Sequence, residues 1–381
     1  MKISYLSNKR IDNYKGGKMM EPYGKVNLTL LKELSEVHAI GGYERFVSRI
    51  VKKHVENFVD DISYDNSGSM ICLKKGKKDG PNIMLSAHMD EVGFMVRHID
   101  ENGFVYLLPI GGWWGLVMPA QEMVVTTISE QEYIGVVGCR APHGMPEKEK
   151  SKVIEPMDLY LDLGVSSKEE VLSLGIEIGD MVTPNTKFRV MNNPDYLMGK
   201  AWDDRICVAV CTEIIQNLKE INHDANIYFV ASTQEEVGIR GARTATHVIK
   251  PDLAIALDVT TSQDTPLDSG SMALGNGVVL SFLDSLTMAH RGVYKEMKFL
   301  SDQLNLDINY DFMTEGGTDA CNIHKAMTGI PTMTLSLPTR YMHSSRLLIH
   351  RKDYYQTVQL LTEFCSTMTQ EKLLSIKNEI K

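Results

Sequence analysis

The sequence predicts an α/β fold: a sheet covered by helices on both faces, with a smaller β-rich domain inserted into it. Three observations lead there. Apolar strand-like runs alternate with helical runs near both ends of the 381-residue chain, the pattern of a sheet buried on its two faces. Residues 94–190 interrupt that alternation with short β-like runs such as GFVYLLPI and QEMVVTTI, punctuated by Gly-Gly and Pro. The apolar fraction of 43% and charged fraction of 23% are those of a globular protein, long enough for two cores.

Residues 1–18 carry five basic side chains against Asp12 and show no helical or strand period. The Lys-Gly-Gly run before Met19-Met20 is what a purine-rich ribosome-binding site would encode in this frame. The expectation is a natural start at Met19 or Met20, with an ordinary disordered tail as the alternative. From Asn27 the pattern turns helical, and YERFVSRIVKKHVENF (43–58) places apolar residues at i, i+3, i+4 and i+7. PNIMLSAHMDEVG (81–93) reads as a buried strand. After the insertion, DRICVAVCTEIIQNLKEI (204–221) predicts an amphipathic helix, and residues 226–233, 252–259 and 331–340 predict strands. Residues 353–368 are expected to close the chain as a helix, and the charged stretch 146–152 to form a mobile surface loop. The domains expected are therefore 19–93 with 191–381, and the inserted 94–190.

A formal charge of −9 argues against nucleic-acid binding. No apolar run reaches membrane-span length, and no signal peptide is expected. The six cysteines form no Cys-x-x-Cys pair; Cys207 and Cys211, one helical turn apart, read as core. A reducing cytoplasm is the expected compartment.

Ligands of such sheets sit beyond the carboxyl ends of the strands, so the residues just past each strand are informative. IMLSA runs into His88-Met89-Asp90, and GKAWDDR brings Asp203 and Asp204 to the start of a helix. NIYFVAST is followed by Glu235 and Glu236, LAIAL by Asp258, and TLSLPTRYM by His343. Any one fragment alone is usually a solvated surface feature. Adjacent carboxylates at the end of a core strand are costly without positive charge beside them, and mixed imidazole and carboxylate donors suit zinc, cobalt or manganese. Two such ions polarise a carbonyl and acidify a bridging water, and the chemistry also needs a carboxylate that is not a ligand to move the proton. Glu235 and Glu236 can divide that work.

In this order, AHMDEVGF, GKAWDDR, TQEEVGIRGA, ALDV, GGTDA and PTRYMHSS resemble the motifs of the tetrahedral aminopeptidases, including the glutamyl and deblocking aminopeptidases. The likeness runs from about Leu30 to the C-terminal helix, and residues 154–182 resemble the family's β-rich dimerisation domain. The resemblance implies a mixed sheet and two divalent metal ions per chain. One would be held by His88, Asp203 and Asp258, the other by Asp203, Glu236 and His343, with Asp203 bridging. It further implies Glu235 as general base, Asp90 orienting His88, a cis peptide after Asp203, peptide substrates, and assembly from dimers into a tetrahedral dodecamer. Where the family often reads His-Ser-x-x-Glu, this chain has Leu347 in place of the acid, which leaves the local support of His343 open.

Two other readings stand beside aminopeptidase. A related dinuclear deacylase or amidohydrolase would share every ligand and differ in the pocket. A glycoside hydrolase could use paired carboxylates but would not need His88, Asp258 and His343. Trp113 and Trp114 are expected to pack the small domain, Thr318 and Asp319 to lie near the site without an assignable role, and most of His98, His143, His223, His247, His290, His324 and His350 to be surface or satisfied structural histidines.

Overall fold

The computed structural model describes residues 26–77, 80–268 and 270–381. The expectations for residues 1–18 and for a start at Met19 or Met20 lie outside that range. Asn27 opens helix α1 (Leu28–Glu36) by accepting the Leu30 amide on its side chain at 3.1 Å. Helix α2 (Arg45–Val55) buries Val47, Val51 and Val55 at the spacing read from the sequence and ends in Lys52, Lys53 and His54, which suit a helix C-terminus. Strands β1 (Asp61–Tyr64) and β2 (Met70–Lys74) form an antiparallel pair, and β3 (Asn82–His88) enters the middle of the main sheet.

The chain then leaves that sheet. Strands β4 (Gly93–Ile99), β5 (Val105–Ile110), β6 (Glu122–Thr126), β7 (Glu132–Gly138), β8 (Tyr160–Asp162) and β9 (Met181–Pro184) close into a barrel in the order β4-β5-β8-β7-β6-β9. Every neighbouring pair is antiparallel, and closure removes the unpaired edges an open sheet would expose. The barrel has its own core, built on Phe94, Val96, Leu107, Val125, Leu161 and Val182. Trp113 joins it, its ring centroid 4.9 Å from that of Phe94. Trp114 does not: it is 58% exposed. Helices α3 (Glu147–Lys150) and α4 (Lys168–Ser173) lie between barrel strands, so the stretch expected as a loop winds one helical turn.

Returning, β10 (Arg189–Val190) and β11 (Tyr196–Gly199) lead into helix α5 (Trp202–Asn217), β12 (Asn226–Ser232), α6 (Gly241–Ile249), β13 (Leu253–Thr261) and β14 (Val278–Leu283). Helix α7 (Arg291–Gln303), β15 (Ile308–Phe312), α8 (Ala320–Ile323), β16 (Thr332–Thr339), β17 (Leu347–His350), α9 (Arg351–Thr367) and α10 (Gln370–Asn378) complete the described chain. Two expectations need correction. Helix α5 is buried on nearly every side, from Trp202 to Ile215 with Glu213 the exception, because it packs between β3 and β13 on one side and α1, α2 and α9 on the other. And α9 is followed by α10, which packs on α7. Cys207 and Cys211 lie in the core, and all six cysteines are free.

The main sheet runs β1-β2-β12-β3-β13-β16-β14-β15. Its centre, β12-β3-β13-β16, is parallel, while β2 and β14 pair antiparallel, so the sheet is mixed. Alternation decides which face each residue serves. Ile83, Leu85 and Ala87 face the large core under α5, and Met84 faces a smaller core with Ala242, Ala245 and Ile323 of α6 and α8. His88 shares that second face at the carboxyl end of β3.

Candidate metal centre

Parallel register brings the first residues together. Ser232, at the end of β12, pairs with His88, and Ala256 of β13 pairs with Ser86. Asp258, two residues on, therefore emerges beside His88 on the same face. Beneath them, the carboxylate of Asp319 accepts the hydroxyls of Ser86 and Ser232, each at 2.6 Å. Asp319 thus ties β3 to β12 below the site, a role invisible in the motif GGTDA because both donors come from distant strands.

Asp203 arrives from the other side of the sheet end. The Asp203–Asp204 peptide is cis, and both residues depart from helical geometry at the head of α5. Asp203 offers one carboxylate oxygen to each histidine: Oδ1 lies 3.2 Å from His88 Nε2, and Oδ2 lies 3.3 Å from His343 Nε2. The Glu236 carboxylate stands 3.8 Å from His343 Nε2. Donor atoms of His88, Asp203 and Asp258 lie within 4.8 Å of one another, as do those of Asp203, Glu236 and His343. Asp204 is directed elsewhere, accepting the His88 amide at 3.2 Å.

Asp90 has a different emphasis from the one expected. Its carboxylate does approach His88 Nδ1, at 3.5 Å, but the Asp90 carbonyl is closer to that nitrogen, at 3.0 Å. The carboxylate's shorter bonds are to the backbone of the carboxylate pair, accepting the Glu235 amide on Oδ1 at 3.0 Å and the Glu236 amide on Oδ2 at 3.1 Å. Behind it, buried Glu44 accepts the amides of Gly42 and Gln234, each at 2.8 Å, and burial with Asp90 nearby raises its carboxyl to about 7. Sequence reasoning missed Glu44 entirely; nothing in its helix-start context marks it.

The support of His343 comes from the inserted segment. Leu347 is 2% exposed, part of the large core on β17 opposite Gly199, and supplies no polar group. Instead the backbone of Gly112 bonds the His343 ring, and a Cβ at Gly112 would lie 3.0 Å from Nδ1. A Cβ at Gly111 would come within 3.1 Å of the Glu236 carboxylate. The glycine pair between β5 and β6 lets the barrel's loop close over the site.

Such crowding is electrostatically expensive. Burial, then the charges of Asp258, Asp319 and Asp90, pushes Glu235 well above the usual carboxylate range against the pull of His88. Burial and Asp203 do the same to Glu236 and Asp258. Burial also works against Asp203, but hydrogen bonds from His343 and His88 hold it below that range. The remedy is more positive charge than two imidazoles provide. The residues fit a divalent cation on two further counts: the donors are the imidazole and carboxylate groups that first-row ions take, and the buried Glu236 Oε1 bonds no protein group. Glu235 belongs to neither donor group. It lines the same cleft, of about 670 Å³, with Ile239, Met313 and Met342 along the walls.

Arg340, which follows β16, is bound in two places by Asp264, at 2.8 and 2.6 Å, and is not among the cleft's lining residues. Among the described residues no helix is long and apolar enough to cross a membrane.

Known proteins resemble this chain in sequence and fold. A lysyl aminopeptidase of Pyrococcus furiosus is 33% identical over 344 residues, 88% of this chain and 95% of its own. A TET aminopeptidase from the marine sediment archaeon Thaumarchaeota archaeon SCGC AB-539-E09 superposes with a TM-score of 0.89 at 33% identity, covering 92% of this chain and 98% of that one. The dodecameric PhTET1 structure superposes with a TM-score of 0.80 at 27% identity, over 90% of this chain and 100% of that one. Residues 68–360 match the family described as M42 glutamyl aminopeptidase, so the chain belongs to this family of peptidases, hydrolases of peptide bonds.

Proposed function

We propose that the protein is a metal-dependent aminopeptidase that removes N-terminal residues from peptides at the cleft around Asp203. One observation carries the reading: a single carboxylate reaches a histidine with each of its oxygens and belongs to both donor groups. In this reading His88, Asp203 and Asp258 hold one divalent ion and Asp203, Glu236 and His343 a second, with zinc, cobalt and manganese all suited to the donors. When bound, such ions polarise the scissile carbonyl and make water nucleophilic at neutral pH.

The chain's own residues then do the rest. Glu235, outside both donor groups but in the cleft, accepts the proton of the attacking water and returns it to the leaving amine. Asp90 fixes the two carboxylates by holding both of their amides. A deacylase would use the same groups and differ in the occupant of the cleft. A glycosidase reading loses ground to the two imidazoles, which a carboxylate-pair mechanism does not use. Self-association, as in PhTET1, belongs to the same proposal, with the barrel as the contact surface.

The test separates the two glutamates. Glu235→Gln should keep both metals while kcat falls by a factor on the order of 10²–10⁴. Glu236→Gln should lose metal from one site. Full peptidase activity after exhaustive dialysis against a chelator, in protein shown to be metal-free, would overturn the proposal, as would equal metal retention in both variants.

A further inference from the structure

The part of the cleft outside the proposed metal groups is chemically one-sided. Beyond those groups and Glu235, its charged lining residues are Asp311 at the end of β15 and Glu315 in the following loop. Among the described residues no lysine or arginine lines it. Arg340, close by in sequence to His343, is committed to Asp264 by two short bonds. Asp311 is held in place on one oxygen by Thr260 Oγ1, at 2.7 Å. Thr260 comes two residues after Asp258 on β13, so one strand end serves both the metal group and the acidic wall. The same lining includes Ile239, Met313 and Met342, an aliphatic and thioether surface. Glu236, whose Oε1 is buried and bonds no protein group, lines the same cleft.

We propose that this cleft selects peptides whose N-terminal residue is lysine or arginine, with Asp311 and Glu315 receiving the side-chain charge. The inference rests on the aminopeptidase reading above and specifies its substrate. Lysine and arginine are an apolar stem with a cationic end, and the cleft is lined by both apolar side chains and carboxylates. A glutamyl side chain would meet like charge with no cation to pair it, so it is disfavoured by repulsion as well as by lost attraction. The family's glutamyl description therefore does not carry over to this chain's preference.

The experiment uses the full chain, loaded with cobalt or zinc, on the nitroanilides of lysine, arginine, leucine and glutamate. The expected ranking of kcat/KM places lysine and arginine roughly 10-fold or more above leucine, and glutamate lowest. High salt should narrow the lysine-to-leucine ratio, since one of the two carboxylates is exposed. Asp311→Asn and Glu315→Gln should each lower that ratio, chiefly through KM for lysine, and Asp311→Glu should retain most of it. Faster turnover of the glutamyl than the lysyl substrate would overturn the inference while leaving the aminopeptidase intact. So would an unchanged ratio in the double variant Asp311→Asn, Glu315→Gln. Turnover of none of the four substrates by metal-loaded protein would overturn the aminopeptidase reading itself, and this inference with it.

Discussion

At the scale of single residues, the site depends on groups that make room as much as on groups that bind. Gly112 leaves a gap of one Cβ beside His343 Nδ1, where an added methyl would sit at 3.0 Å. Gly112→Ala should therefore tilt the His343 ring, weaken the metal site it shares with Glu236, and lower kcat by about 10-fold, the scale of perturbing a group that orients a ligand. Metal content of the purified variant checks this, and full retention of both ions with normal kcat would refute it. Asp264 makes a different prediction. Its bonds to Arg340 lower its carboxyl from the usual range to about 2. A depressed pKa in the folded state means the stabilisation is present above the unfolded value near 4 and disappears as the pH falls toward 2. Asp264→Asn should cost on the order of 1–2 kcal/mol at pH 7, allowing for the pair's partial exposure, and only a small fraction of that at pH 2. Urea unfolding of the two proteins across that window measures the difference.

At the scale of elements, the ends of α1, β3 and α5 are fastened by one buried arginine. Arg205, fully buried in α5, donates to the carbonyls of Leu34 and Val37 at the end of α1, to Ala39, and to Met89 just beyond β3. It also pairs with Glu91, at 3.1 Å, which buried Lys200 reaches as well, at 2.5 Å. These carbonyls lie where the helix and strand stop; Val37 also accepts Lys200 Nζ, at 2.7 Å, and Ala39 the Glu91 amide, at 3.0 Å. Replacing Arg205 by Met should cost about 3–5 kcal/mol, because it leaves Glu91 with a single cation and removes the guanidinium's bonds to four carbonyls. Chemical denaturation would show it, and a loss below about 1 kcal/mol would mean that water or Lys200 takes over the network.

At the scale of the molecule, the barrel has two faces of use. Its loop at Gly111-Gly112 reaches the site, while elsewhere the unit exposes Ile128 (76%) in the β6–β7 turn, Ile134 (60%) on β7 and Ile178 (70%) before β9. Apolar side chains gathered on one small unit are a common mark of a contact surface. If the barrel mediates self-association, the native protein should sediment well above its monomer mass of 42.8 kDa. The double variant Ile134→Glu, Ile178→Glu should sediment closer to the monomer while its circular dichroism stays unchanged. Deleting the barrel would be a poorer experiment, since it also strips the His343 support. A native protein sedimenting as a monomer would refute the assembly role.

The sequence by itself determined the sheet, because burial on two faces demands apolar strands and helical stripes that are visible as periods. It also marked His88, Asp203, Glu235, Glu236, Asp258 and His343, because each stands where an apolar strand, a short loop or a helix head ends in chemistry that cannot be left buried without a partner. What only the tertiary structure decided are the residues whose reason lies in another element. Asp319 matters through hydroxyls on β3 and β12, Glu44 through the Gln234 amide, and Gly112 through the ring of a histidine more than two hundred positions away. Asp90 was noticed for its histidine and proved to hold two amides of a turn after β12. Leu347 marked a missing acid, and the support came instead from the barrel's loop. A local pattern records what a residue needs from its own segment, whereas hydrogen bonds and close approaches between segments exist only after the sheet order has set which strand ends meet.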